Sequence, residues 1–330
     1  MLLAFALLLL AAGGIYLACE YFVNGIEWVG RRADLSQNAV GTILAAFGTA
    51  LPESVVTFVA VVFGQDASVR NIGVGAALGG PLVLATIAYP VAGFMLLTRG
   101  TLRTEPIDAD RARLAGNQMW FLLIFVCKVA LGFVAFAIKP WLGWLFLAAY
   151  AAYVWAQMRH ESPSAEGELE PLRFRRGKAA PSLFMASMQT LLALAVIFGA
   201  SHVFVDQLTV IGPWLGLPSS LVALLLSPIA TELPETMNAI IWIRKGKHHL
   251  ALGNISGSMM IQATVPTALG LFFTPWMFDR ALALSAVLTC VAVMGLLLLI
   301  RRNALTPLRL ALFGVLYPAF GIGLVILRAL

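Results

Sequence analysis

Ten stretches of this sequence each have about the length and polarity of a helix that crosses a bilayer, and nothing else in it limits the fold so tightly. A membrane-spanning helix needs roughly 20 mostly apolar residues to cover about 30 Å of hydrocarbon. Read with that ruler, the segments fall at 2–23, 38–63, 72–98, 117–137, 140–158, 182–205, 214–243, 250–273, 281–300 and 307–327. The chain is 60% hydrophobic and 12% charged, against about 45–50% and 25% in soluble domains. No single water-soluble core absorbs that much apolar surface, so the expected solvent is lipid and the expected fold class an all-α integral membrane protein.

The longest polar stretch runs from Arg159 to Ala180 and divides the chain into three parts. Residues 1–158 form a first five-helix unit, 159–180 a linker and 181–330 a second five-helix unit. Of the 22 Lys and Arg residues, 17 fall in loops on the linker's side, four on the opposite side, and Lys128 inside the fourth span. Basic loops stay in the cytoplasm. The linker is therefore expected there, with both termini outside, in a membrane such as the bacterial inner membrane. Lys128 is expected to snorkel toward an interface. The net charge of +6 then reads as attraction to a phosphate-bearing membrane surface rather than to a nucleic acid.

The second and seventh spans repeat a pattern. One reads Ile43-Leu-Ala-Ala-Phe-Gly-Thr-Ala-Leu-Pro-Glu53, the other Leu225-Leu-Ser-Pro-Ile-Ala-Thr-Glu-Leu-Pro-Glu235. Each precedes a glycine-rich span, with pairs at Gly79-Gly80 and Gly257-Ser258. Glu53 and Glu235 are 182 residues apart, as are Glu20 and His202 in the preceding spans. Five spans per unit is an odd number, so the second unit enters the membrane from the opposite side and the repeat is expected to be inverted.

Proline inside a span removes a backbone donor and strips the carbonyl four residues earlier of its partner. In lipid that carbonyl needs a substitute, and a cation in a protein-lined cavity is one. A glutamate at the next position adds charge at a cost of at least ~2.5–3.5 kcal/mol on insertion scales for comparable residues. Two such acids at matched positions, Glu53 and Glu235, are therefore read as functional. Glu232 lies one turn before Glu235 on much the same face. Two carboxylates that close do not both ionise without a cation, so Glu232 is expected to bind the ion or to carry a proton. His202 and Asp206 read as pathway-lining or interfacial, His248 and His249 as solvated. Cys19, Cys127 and Cys290 read as packing residues without metal or disulfide spacing.

These residues resemble the sodium/calcium exchanger (Ca²⁺:cation antiporter) superfamily, especially its compact prokaryotic members. Gly48-Thr-Ala-Leu-Pro-Glu53 and Ala230-Thr-Glu-Leu-Pro-Glu235 are similar to its paired G-T-S-x-P-E motifs, and Leu252-Gly-Asn-Ile-Ser-Gly-Ser258 to its following glycine-rich stretch. The resemblance implies ten helices in two inverted repeats, with cation sites between spans two, three, seven and eight, and spans one and six moving to alternate access. Carried across by position, it implies Thr49, Glu53, Thr231, Glu235 and Ser258 as ion ligands. The sequence departs from the pattern at Ala50, Glu232, Gly80-Pro81 and Met259, and holds Leu84 and Gln262 where the family adds an Asn or Asp.

The expected function is secondary active antiport of Ca²⁺, or another cation, for Na⁺ or H⁺. Glu53, Glu235 and Glu232 would be its acids, and Thr49, Thr231, Ser258 and Gln262 its neutral oxygens. Exchange of a monovalent cation for protons is the alternative that Leu84 and Gln262 motivate, and a non-transporting sensor that kept the fold is a third. No G-x-x-x-x-G-K-[ST] loop or nucleophile–base set appears, so neither ATP-driven pumping nor enzymatic chemistry is expected. No resident cofactor is expected either. The partners implied are inorganic cations and the bilayer, and a monomer is compatible with this.

Overall fold

In the computed structural model of the chain, the described residues are 2–36, 39–63, 67–98, 105–107, 110–159, 169–175, 181–214, 225 and 227–329. Within its helices the side chains at 51–53, 55–56, 59–60, 67–72, 159, 175, 205, 208–209, 212–213, 227 and 328–329 also lie outside the description. Every regular element among the described residues is helical. Seven of the helices are long and apolar enough to cross a membrane: Leu2–Arg32, Gly73–Thr98, Arg111–Leu131, Leu183–Phe204, His248–Phe273, Arg280–Arg301 and Pro307–Leu327.

The two longest helices, α1 (Leu2–Arg32) and α7 (Leu183–Trp214), pack along one another. A Cβ at Gly25 would stand 2.6 Å from the Thr190 hydroxyl, so only glycine allows α1 to approach α7 this closely. Their outer faces expose Leu2, Leu9, Leu10, Phe184 and Leu191, the reverse of a soluble surface and the proper face for lipid.

The second apolar segment starts with a π-helical stretch, Val40–Ala45, and continues as α2 (Ala46–Phe63). Helix α3 (Ala67–Val83) carries Pro81 inside it and passes through a second π-helical stretch, Leu84–Ala88, into α4 (Tyr89–Thr98). Such insertions recur at functional sites because they re-aim side chains without ending the helix. Next come α5 (Arg111–Leu131) and α6 (Gly143–Arg159), the latter 17 residues long after a 3₁₀ turn at Lys139–Leu142. The segment read as one proline-interrupted span over 214–243 contains, among its described residues, two helices, α8 (Ser227–Thr231) and α9 (Leu233–Arg244), parted at Glu232.

Helix α10 (His248–Phe273) is the hub. Every residue from Leu250 to Thr264 is buried, because α2, α3, α5, α6 and α9 all pack against it. A Cβ at Gly257 would come 2.1 Å from the Thr42 carbonyl oxygen, which fixes how closely α10 meets the π-helical stretch before α2. Helices α11 (Arg280–Arg301), α12 (Pro307–Leu312) and α13 (Leu316–Ala329) complete the chain.

Candidate cation site

Proline is tolerated in the first turn of a helix, where its missing N–H has no partner to lose. Pro234 takes such a place in α9, so the helix breaks just upstream of it, and Glu232 adopts φ −90°, ψ 4° between the two pieces. The break is stitched locally. The Glu232 N–H donates to the Pro228 carbonyl (3.1 Å), and the Thr236 N–H donates to the Glu232 carbonyl (3.2 Å). The Thr231 and Thr236 hydroxyls donate to those same two carbonyls. Glu235 lies in the first turn of α9, where the helix dipole favours a negative charge.

Both described acids are inside the bundle: Glu232 is 0% exposed and Glu235 1%. Gln262 of α10 donates its Nε2 hydrogen to Glu232 Oε1 at 2.7 Å. Helix α3 meets this pair through a glycine. A Cβ at Gly80 would stand 2.6 Å from Gln262 Oε1 and 2.9 Å from Glu232 Oε1. At Gly79 it would stand 2.8 Å from Pro228 Cγ. The glycine-rich turn of α3 therefore gives the acid–amide pair its room.

Of the other sequence-predicted residues, Ser258 lies on α10 with Gln262, and Thr49 on α2. Asn254, Ser258 and Gln262 follow one another at four-residue intervals along one face of α10 and are all buried. Among the described residues the Ser258 hydroxyl, both Asn254 amide atoms and Gln262 Oε1 have no hydrogen-bond partner. Thr49 is buried on α2 and donates back to the Ala45 carbonyl (3.1 Å); its oxygen keeps lone pairs for an acceptor role. Ala50, where the resemblance leads one to expect serine, packs with Ala46 against Ile261. The Glu53 and Pro52 side chains lie outside the described residues. Among the described residues no three of His, Cys, Asp and Glu cluster as metal ligands, so the donors gathered here are two carboxylates with amide, hydroxyl and carbonyl oxygens.

Several expectations need correction. Lys128 does not snorkel: it is 0% exposed and donates to the carbonyl oxygens of Ala77 (2.8 Å) and Gln262 (3.5 Å). The signal was present in the sequence, since Leu114, Gln118, Phe121, Phe125 and Lys128 repeat at helical spacing and are all buried. His202, read as pathway-lining or interfacial, lies on the outer surface of α7. It is exposed and meets Phe198 of its own helix edge-on at 4.5 Å. His248 and His249 are half-buried rather than solvated. Cys19 is buried in the core, as expected of a packing residue, and its thiol lies 3.8 Å from the Pro234 carbonyl. Sequence reasoning missed the polar cluster of Tyr89, Gln118 and Ser256, in which the Gln118 amide donates to the Tyr89 oxygen at 2.6 Å and the Tyr89 and Ser256 hydroxyls lie 2.8 Å apart.

With this geometry established, comparison with known proteins gives a consistent answer. The sequence profile of the family described as sodium/calcium exchanger protein matches residues 3–159 and 186–326. The inner membrane protein YrbG of Escherichia coli (strain K12) is 26% identical over 310 residues, 92% of this chain and 90% of that protein. The proposed antiporter CaxA of Alkalimonas amylolytica is 26% identical over 273 residues, 81% of this chain and 79% of its own length. Among solved structures, the sodium-calcium exchanger NCX_Mj soaked with 10 mM Na⁺ and zero Ca²⁺ superimposes with a TM-score of 0.76 at 20% identity. That match spans 96% of this chain and 97% of the other, so the two share a fold.

Proposed function

This chain belongs to the sodium/calcium exchanger protein family, and from that premise we propose that it is a secondary active antiporter exchanging Ca²⁺, or another cation, for Na⁺ or H⁺. The observation that carries this reading is the buried constellation at the broken helix. Glu232 is held by Gln262 against Gly80, with Glu235 one turn away at the start of α9. Hard cations select such all-oxygen surroundings, and an ionisable pair inside a membrane bundle is by default a transport site. Glu53, Glu235 and Glu232 are the proposed acids, with Thr49, Thr231, Ser258 and Gln262 supplying neutral oxygens.

The proposal includes a ten-helix architecture of inverted repeats, residues 1–158 and 181–330, joined by a cytoplasmic linker at 159–180, with both termini outside the inner membrane. The acids then sit near the bilayer midplane, where alternating access needs them. One observation favours exchange of a monovalent cation for protons over Ca²⁺ transport. One Glu232 oxygen is already engaged by an amide N–H, which leaves one fewer carboxylate oxygen to coordinate a divalent ion.

Proteoliposomes loaded with Na⁺ or made acidic inside, then assayed for ⁴⁵Ca²⁺ uptake, test the assignment. Uptake driven by either gradient supports antiport. Uptake indifferent to both gradients overturns it, and Na⁺/H⁺ exchange without ⁴⁵Ca²⁺ movement selects the monovalent reading.

A further inference from the structure

Two prolines inside helices flank one lysine. Pro81 lies four residues after Ala77 in α3, and Pro266 four residues after Gln262 in α10. In an α-helix the carbonyls of Ala77 and Gln262 would each accept the N–H of the residue four places on, and proline has none. These are the two carbonyls that the Lys128 ammonium faces, at 2.8 and 3.5 Å. The second distance is at the outer limit of a hydrogen bond and well within ion–dipole range. A third side of the ammonium lies over the Phe125 ring, 4.8 Å from its centre, where the negative π face attracts a cation. Among the described residues Lys128 thus meets electron-rich partners: a ring of its own helix and two carbonyls from helices that both belong to the carboxylate site.

The connection to the acids is direct. Gln262 offers its carbonyl to Lys128 and its side-chain amide to Glu232. Ala77 lies one turn before Gly80, the residue that touches the same Glu232–Gln262 pair. On this side of the site the sequence has lost polar groups: Gly80-Pro81 stands where Ser-Asn is expected, and Leu84 is buried. The lysine places an ammonium beside that loss, and Gln262 links it to Glu232.

We propose that Lys128 is a tethered cation. Its ammonium fills a carbonyl-built position that a Na⁺-sized monovalent ion would otherwise take, so the exchanger binds one fewer free cation per cycle. An ammonium suits the role because it is a compact charge with three donors and no acceptor. The inference deepens the antiporter reading by assigning part of its ion stoichiometry to a side chain.

The test compares wild type with Lys128→Met and Lys128→Arg, purified and melted in Na⁺ or choline at constant ionic strength. Lys128→Met is expected to gain a saturable Na⁺-dependent rise in Tm of about 5 °C or more over any wild-type response. Lys128→Arg, which keeps a tethered charge, is expected to keep the wild-type response. In proteoliposomes the Na⁺ Hill coefficient of Lys128→Met exchange should rise by about one. A folded Lys128→Met protein with wild-type Na⁺ dependence in both assays overturns the proposal. So does a Lys128→Met protein that fails to fold and that Na⁺ does not rescue, since a merely structural lysine behaves that way. The melting assay needs no transport, so it still decides the role of Lys128 if the wild type proves not to be an antiporter.

Discussion

Around Gly79 and Gly80, α3 offers the broken helix no side chain, only room: one glycine lies against Pro228 and the other against the oxygens of Glu232 and Gln262. Around Gly257 and Ser258, α10 offers a buried hydroxyl and, one turn on, the amide that holds Glu232. The contrast continues four residues beyond each pair's second position, where α3 passes into the π-helical stretch at the buried Leu84 while α10 reaches Gln262. The two glycine-rich segments are alike in sequence and unlike in task. On α3 the site is sensitive to added atoms, and on α9 and α10 it is sensitive to lost chemistry.

The strongest way to break this comparison is to remove an acid on the second side. Glu235→Gln keeps the shape and deletes the charge, and is expected to lower exchange about 100-fold or more, since even supporting residues at ion sites are worth 10–100-fold. Gradient-driven ⁴⁵Ca²⁺ or Na⁺ flux near the wild-type rate would remove Glu235 as a ligand. On the first side, Gly80→Ala forces a methyl group to within 3 Å of two site oxygens. It is expected to cost about 1–3 kcal/mol of stability and most of the flux. Gly75→Ala, one and a half turns earlier, meets nothing nearer than Leu282 at 4.0 Å and should leave flux unchanged while stabilising the helix by about 0.5–1 kcal/mol. Equal effects of the two alanines in melting and flux assays would refute the idea that α3 supplies room.

Glu232→Gln sharpens the second side. Its amide oxygen can still accept from Gln262, so folding should survive while proton competition is lost. Wild-type exchange should fall as pH is lowered because protons occupy the acids, and Glu232→Gln should flatten that fall. An unchanged pH–flux curve would refute a proton-carrying role for Glu232.

Much of this was readable before the fold was known, and the reasons are physical. Lipid demands long apolar runs, so helices such as α1 and α7 announce themselves. Glu232 and Glu235 stand out because charge inside such a run is costly. The break at Glu232 was harder to read, because Pro234 draws attention to itself while a first-turn proline leaves the discontinuity upstream. The inward aim of Lys128 was obscured by its place three residues from the end of α5, where a snorkelling lysine would also lie. Its helical register with Phe121 and Phe125 was the better guide. The π-helical stretches at Val40–Ala45 and Leu84–Ala88 leave the apolar run unbroken, so nothing in its pattern announced them.

The smallest expected effect lies far from the acids, on the linker segment 169–175. There the Trp28 indole donates to the Glu170 carbonyl (2.8 Å), and the Arg173 N–H donates to Asn24 (3.0 Å), fixing the segment to α1. Arg173 pairs with Glu20 at 2.9 Å, and the Glu170 carboxylate with Lys245 at 2.8 Å beyond α9. The hydrogen bond from Lys245 holds the Glu170 carboxyl below its ordinary range. A depressed carboxyl contributes stability that is complete above the ordinary value of 4.5 and lost as pH falls through the lower folded value. Because Glu170 is 57% exposed, the contribution is small, about 0–1 kcal/mol. Glu170→Gln should therefore lower Tm slightly at pH 7, by a difference that shrinks as pH falls below 4.5, while leaving flux intact. A large loss of flux in that variant would place the linker segment within the transport cycle, and the comparison of α3 with α10 would then describe only part of what controls the site.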